Sequence, residues 1–385
     1  MQLSVIILNY NVRYFLELCV LSVQNAVQNL DAEIIVIDNN SQDDSGEMMK
    51  QRFPNVKLIE NKENVGFPKG NNIGVSQAKG EYICILNPDT VVAEDTFTKI
   101  LAFAKKQNNL GIIGCKLIDG TGNFLPESKR GTPTPFVAFT KITGLYKIFP
   151  KTFGKYYAQH LSENETGKVE ILVGAFMLMK RDLYNEIGGF DENCFMYSDD
   201  IDLSYMALKK GKLNYYFHGT TVIHYKGEST VKDGTYMKRF QEAMNFFYKK
   251  HFTVSFLFSI FIKIGIVFFS LVKKNQGNPR PKSNPDKYIL VSNPEASVEI
   301  LREKLENQFN KTFEVQGDKF SFLKSSAITE IIFDQNYLDF KTIINVLEAN
   351  KNKGFTFKII PKSSHFMLGS NSSFDRGEVI EISDF

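Results

Sequence analysis

Between Leu3 and Asp89 the chain repeats one pattern, a short apolar run that ends in Asn or Asp. Residues 3–8 lead into Asn9-Tyr10-Asn11, residues 33–37 into Asp38-Asn39-Asn40-Ser41, residues 56–59 into Asn61, and residues 82–86 into Asn87-Pro88-Asp89. Runs this short, rich in β-branched and apolar side chains, read as buried strands rather than helices. Pro88 cannot donate to a sheet ladder, so the fourth strand ends at Asn87. Between the strands the periodicity changes. Phe15, Leu18, Cys19, Ser22 and Ala26 fall on one face of a helix over 13–28, and shorter helices are predicted over 46–52 and 71–78. Phe97, Ile100, Leu101 and Ala104 mark another over 94–106, followed by a strand over 111–118. This strand–helix alternation predicts an α/β fold with a parallel sheet and helices on both faces. In such a sheet the four polar segments gather along the carboxyl edge, where ligands bind.

Several function classes drop out. The first strand–helix turn lacks G-x-G-x-x-G, and no G-x-x-x-x-G-K-[ST] occurs, so neither a dinucleotide cofactor nor a P-loop is expected. A net charge of +3 on 385 residues gives no argument for a nucleic-acid partner. Cys19, Cys84, Cys115 and Cys194 are dispersed without a C-x-x-C pair, which fits buried thiols in a reducing compartment. The first residues lack the pattern of a secretory leader, so the amino-terminal part is expected in the cytoplasm.

Some polar residues carry more than turn chemistry. Asp89, just past a strand end, can hold a hard divalent cation, although Asn-Pro-Asp is also an ordinary turn. Gly66, Lys69, Gly70 and Asn71 offer two glycines, a charge and an approaching helix N-terminus to a phosphate; a plain glycine-rich connection reads the same way. An apolar strand over 169–179 carries Gly174. Asp199, Asp200 and Asp202 crowd three carboxyls at the start of a helix running to about residue 210, where the helix dipole favours acids. His224 closes another strand, where a lone histidine is more often structural than a ligand.

Taken together, Ser4 to Asn11, Ile37-Asp38-Asn39-Asn40-Ser41, Asn64 to Asn72 and Leu86-Asn87-Pro88-Asp89-Thr90 resemble the signature series of family 2 glycosyltransferases, in particular bacterial rhamnosyltransferase-like enzymes. The resemblance covers roughly the first 230 residues. It implies a GT-A fold, a Rossmann-like mixed sheet, and inverting transfer of a sugar from a nucleotide diphosphate donor with Mg2+ or Mn2+. It implies that Asp38 contacts the base, and that Asn9, Tyr10, Asn11, Asn39, Ser41, Gly66, Lys69, Gly70, Asn71, Asn87 and Asp89 line the nucleotide-sugar site. Asp89 and His224 inherit the metal. Asn87 stands where relatives carry an acid. Asp200 inherits the catalytic base, Asp199 stands where relatives carry Glu, and Gly174 and Asp199 face the acceptor. Lys226 and Ser229 are further diphosphate contacts. A GT-A nucleotidyltransferase, or a membrane-docked sugar-nucleotide-binding module without activity, would share much of this pattern.

Beyond residue 230 the reading changes. Tyr236, Met237, Phe240, Ala243, Met244, Phe247 and Tyr248 form the stripe of an amphipathic helix. Residues 252–272 are apolar enough in length to span a bilayer, but Lys263 lies mid-segment, at about 2.5–3.5 kcal/mol on insertion scales. A helix or bent hairpin embedded in the cytoplasmic leaflet is the favoured reading, with a single span and a packing helix as alternatives. The expected organisation is a catalytic domain over 1–230, a membrane-associating part over 231–273, a Pro-rich linker over 274–286, and a small Rossmann-like α/β domain over 287–385. A lipid-linked saccharide acceptor, at the cytoplasmic face of the inner membrane and within surface polysaccharide synthesis, follows from the resemblance.

Overall fold

The computed structural model describes residues 1–134, 136–137, 140, 144–149, 154–194, 197–225, 234–252, 285–293, 296–317, 328–371 and 377–383. Lys226, Ser229, the apolar segment from residue 253 onward and most of the Pro-rich linker lie outside them. Among the described residues no helix is long and apolar enough to cross a membrane.

The first sheet contains β1 (Leu3–Asn9), β2 (Ala32–Asp38), β3 (Lys57–Glu60), β4 (Tyr82–Leu86), β5 (Thr90–Val91), β6 (Leu110–Ile118), β7 (Gly167–Val169), β8 (Phe176–Lys180) and β9 (Leu213–His224). Their order is β3-β2-β1-β4-β8-β6-β9-β5, with β7 paired to β9. β1 to β4 are mutually parallel in the register Asn9↔Asp38 and Ile7↔Leu86, which aligns their carboxyl ends. The sheet is mixed. β8 runs antiparallel between β4 and β6, with Leu86 opposite Phe176, so the residues just before β8 arrive at the same rim. The apolar stretch read as one strand over 169–179 is therefore two, β7 and β8, and irregular chain through Gly174 separates them. Breaking the strand there brings Gly174 to the rim.

Helices cover both faces. Leu16, Val20 and Val23 of α1 (Arg13–Val27), Met49 of α2 (Ser45–Arg52) and Phe97 of α4 (Thr96–Ala104) bury one face. Val75 of α3 (Phe67–Ser76), Tyr184 of α5 (Arg181–Glu186) and Leu203 of α6 (Asp199–Lys209) bury the other. Both faces being covered explains why the strands read as continuous apolar runs. All four cysteines are buried. α3 starts four residues earlier than the sequence predicts, because Pro68 fits the first helical turn and Gly66, at φ +85°, turns the chain into it. Lys69 and Gly70 thus lie inside the helix rather than before it.

After α7 (Gly234–His251), a second sheet runs β11-β10-β12-β13-β14-β15. Its strands are β10 (Lys287–Val291), β11 (Phe313–Gln316), β12 (Thr329–Asp334), β13 (Phe355–Ile360), β14 (Phe366–Ser370) and β15 (Glu378–Glu381), with helices α8 (Ala296–Phe309) and α9 (Phe340–Ala349). β10 to β13 are parallel, and β14 and β15 return antiparallel at one edge.

Candidate active site

The loops after β1 and β2 form one polar unit. Asn9 donates through its amide to Asp38 Oδ1 (2.8 Å) and to Ser41 Oγ (3.0 Å). The Ser41 hydroxyl and backbone N–H donate to the two Asp38 oxygens at 2.6 and 2.9 Å. Asn11 crosses between the loops: its N–H donates to Ser41 Oγ, and its Oδ1 accepts Gln42 N–H. Asn11 and Asn40 sit at φ +56° and +62°, a conformation Asn tolerates better than most residues, so the asparagines make these turns tight as well as polar. Asp38 is fixed before any ligand arrives. Asn39 continues the rim: Asn61 and Val65 donate to its Oδ1, and its amide donates to Asn64. Tyr10 is half-buried beside this unit.

The third loop departs from the reading of two glycines approaching a phosphate. A Cβ on Gly70 would lie 2.5 Å from Leu8 Cδ1, so this glycine lets α3 pack against β1. Asn71 is buried and donates to Phe67 O, and its Oδ1 has no hydrogen-bond partner. Lys69 is exposed on the helix. Gly66 keeps a site-shaping duty, as the left-handed residue that opens α3.

Asp89 and His224, far apart in sequence, meet because β5 pairs antiparallel with the end of β9, Thr90 opposite His224. His224 Nε2 lies 3.4 Å from Asp89 Oδ1, with both side chains buried, and 3.5 Å from the Asn87 amide nitrogen. Asn87 Oδ1, Asp89 Oδ1 and His224 Nδ1 are buried without hydrogen-bond partners. Unsatisfied buried acceptors are costly, and a cation would satisfy the two oxygens. At 3.4 Å the two donor atoms stand about 0.5 Å wider than adjacent ligands of an octahedral ion at about 2.0–2.1 Å, so a small approach of the two side chains would bring both onto one ion. Among the described residues no group of three or more His, Cys, Asp or Glu is placed to hold a metal. The chain thus offers Asp89 and His224, with the Asn87 amide as a neutral third contact, and leaves most positions for water or ligand oxygens.

Asn87 N–H donates to Ala175 O (3.1 Å), which ties this pair to the Gly174 segment. Gly174 N–H donates in turn to Asp200 Oδ2 (3.1 Å). A Cβ on Gly174 would stand 3.4 Å from Asp200 Cβ and 3.9 Å from Asp199 Oδ2. Gly174, Asp199 and Asp200 therefore lie side by side on one wall, with Phe67 at the head of α3 beside them. Asp200 Oδ2 also takes a hydrogen bond from Arg130 Nη2 at 2.5 Å, and that same nitrogen donates to Leu172 O. Arg130 is the site residue that sequence reasoning missed. It lies in a stretch without clean period, and only the 130–171 backbone bridge brings it to the acids.

The acids divide three ways. Burial, reinforced by the neighbouring Asp200 charge, raises the Asp199 carboxyl from 3.8 to about 7. Asp202 points away: its oxygens take His251 Nε2 at 2.5 Å and Lys250 Nζ at 2.8 Å, clamping α7 against α6. The third acid is thus a packing element. A carboxyl whose pKa rises on folding contributes most stability below its unfolded pKa, and that contribution is lost as pH climbs through the folded value. Asp199→Asn is accordingly expected to melt more than about 2 °C above the parent at pH 8, the gap closing toward pH 4, as thermal denaturation across pH will read.

Residues 4–188 match the model of the glycosyl transferase family 2. The N-acetylglucosaminyl-diphospho-decaprenol L-rhamnosyltransferase of Mycobacterium tuberculosis is 27% identical over 212 residues, 52% of this chain and 68% of that protein. The low-salt glycan biosynthesis hexosyltransferase Agl10 of Haloferax volcanii is 24% identical over 215 residues, 54% of this chain and 62% of that protein. Among solved structures, the mannosyltransferase PcManGT of Pyrobaculum calidifontis, in complex with GDP-Man and Mn2+, is similar at 16% identity and a TM-score of 0.46 over 80% of each chain. The domain over residues 4–188, which holds the Asp38 and Asp89 side of this rim, is a glycosyl transferase family 2 domain.

Proposed function

We propose that this chain transfers a sugar, with inversion, from a nucleotide diphosphate donor to a lipid-linked saccharide, as a step in surface polysaccharide synthesis. The observation that carries this reading is the shared rim. Asp38 at the end of β2 and the Asp89–His224 pair at the ends of β4 and β9 stand on one sheet edge, and Asn87 ties the pair to Ala175, next to the Gly174 that donates to Asp200 at the head of α6. Asp38, fixed by Asn9 and Ser41, recognises the nucleoside. Asp89 and His224 would hold Mg2+ or Mn2+, which would supply positive charge toward the diphosphate leaving group. The donor's bond from anomeric carbon to phosphate oxygen breaks while the acceptor hydroxyl attacks from the opposite face. The hydroxyl proton passes to Asp200, whose Oδ2 is occupied by Arg130 and Gly174 and whose Oδ1 remains for the acceptor. One displacement without an enzyme nucleophile inverts the centre. Asp199 borders the acceptor.

Similarity to the mycobacterial rhamnosyltransferase supports an acceptor on a lipid diphosphate and L-rhamnose as the sugar, with thymidine diphosphate as the carrier we favour. Such an acceptor places the reaction at the cytoplasmic face of the inner membrane. The test is a thermal-shift screen of nucleotide sugars with Mn2+ or with a chelator. A donor at a hundred times its Kd should stabilise the fold by about 2.7 kcal/mol, and only with the metal. If every nucleotide sugar leaves the melting temperature unmoved with Mn2+ present, the donor assignment is wrong.

A further inference from the structure

The second sheet does not merely follow the catalytic domain in sequence. Phe15, Ile223 and Tyr225 share one buried apolar cluster with Phe333, Phe340 and Phe366. Glu94, just before α4, accepts the Phe340 and Lys341 backbone N–H groups at 2.8 and 2.9 Å, and so caps α9 from the other sheet. Lys116 of β6 is buried against Glu348 of α9 at 2.5 Å. A Cβ on Gly122 would fall 2.1 Å from Leu347 O, which leaves no room between that turn and α9.

At the other end of this contact lies a buried charge relay. The Glu17 side chain on α1 is 0% exposed and pairs with Arg52 Nη1 at 2.5 Å and Arg13 Nη1 at 3.1 Å. Burial pushes its carboxyl up, and the two arginines oppose that. A buried carboxylate is tolerable only while paired, so both cations are held in place. Each then reaches a different partner. Arg52 donates to the carbonyls of Lys362 and Ser363, in the turn between β13 and β14, at 2.5 and 2.9 Å. Arg13 lies over the Tyr14 ring and faces Phe366 of β14, and its guanidinium reaches Asp44 at 3.2 Å. The Arg13 backbone N–H donates to Asp43 Oδ2 (3.1 Å). Tyr14 OH bonds to the Glu381 carboxylate. Asp43 and Asp44 end the loop that begins at Asp38, and Arg13 directly follows the loop of Asn9 to Asn11.

We infer that the second sheet is a brace for the donor site, and that Arg52, Glu17 and Arg13 are positioning residues that carry its placement to the 9–13 and 38–44 loops. The relay runs from the 362–363 carbonyls through Arg52 to Glu17, then through Arg13 to Asp43 and Asp44. The planar guanidinium suits this task, because it can bond a carboxylate and backbone carbonyls at once in fixed geometry. The loops that hold Asp38 and Ser41 thereby depend on residues more than three hundred positions away. The functional meaning rests on the donor-site reading above; the mechanical coupling does not.

The test is amide hydrogen exchange on the full chain without donor or metal, so its outcome is independent of the nucleotide-sugar screen. In Arg52→Ala, peptides covering 9–14 and 38–44 are expected to exchange at least about tenfold faster, while β4 and α6 keep their protection. A purely local role would speed exchange only in α2 and at 362–366. Parental exchange at 9–14 and 38–44 in a folded variant overturns the proposal. If Arg52→Ala fails to fold, Arg52→Lys is read by the same criterion: it keeps the charge beside Glu17 but loses the two-carbonyl fork, and about threefold faster exchange at both loops is expected. Unchanged exchange there also overturns it.

Discussion

Asp89→Ala is expected to abolish Mn2+-dependent binding of nucleoside diphosphate and to lower transfer by about 10²–10³-fold, the loss typical of removing one preorganised electrostatic contact. The chain supplies few ligands at this point. With Asp89 gone, His224 and the neutral Asn87 amide remain, and neither carries negative charge. The fold should not suffer. Asp89 Oδ1 is buried without a hydrogen-bond partner, so its removal relieves a desolvation cost. Its backbone carbonyl still accepts Tyr225 N–H at 3.0 Å. The expected signature is therefore a melting temperature at or above the parental one without metal, together with loss of the metal-dependent increment. Titration calorimetry with nucleoside diphosphate, in Mn2+ and in chelator, checks it. An affinity equal to the parent's in Mn2+ would contradict the metal assignment.

The second large effect is expected at Asp200. A positioned carboxylate accepting the acceptor proton contributes about 10²–10⁴-fold, and Asp200→Asn should cost that much in kcat. Asn keeps one oxygen for Arg130 and Gly174 while giving up the charge that compensates buried Arg130. Some loss of stability is therefore expected, and melting curves set a temperature at which the variant is folded. The discriminating readout is the split between steps: kcat falls while metal-dependent donor affinity stays parental, because Asp200 lies on the Gly174 wall and not in the Asp89–His224 pair. Transfer that persists undiminished in Asp200→Asn would move the base to another residue. Asp199 would then be the first candidate, since it shares the same wall and its carboxyl already titrates near neutrality.

Much of this site is readable from local pattern. Strand ends announce themselves through Pro88 and the Asn and Asp clusters, because a sheet ladder cannot continue through them. The polar segments after β1, β2 and β4 lie where the alternation places them. Glycines are less transparent. Gly70 serves packing against Leu8, and Gly66 sets a backbone angle; a sequence does not distinguish those duties from room for a ligand. The three acids at the head of α6 look alike in sequence, yet Asp202 is bound by Lys250 and His251 while Asp200 meets Arg130.

What the chain determines by itself is therefore its short-range order: where each strand stops, which helix face is apolar, and which polar residues stand at the rim. These follow from side-chain periodicity and backbone chemistry acting over a few residues. Tertiary structure alone decides who meets whom across long separations. Asp89 finds His224 through a two-residue strand, Arg130 finds Asp200 through a backbone bridge, and the Arg52 that pairs with Glu17 also bonds carbonyls at 362 and 363. Such encounters depend on strand order and on how buried charges find partners, and neither is written in any single stretch of sequence.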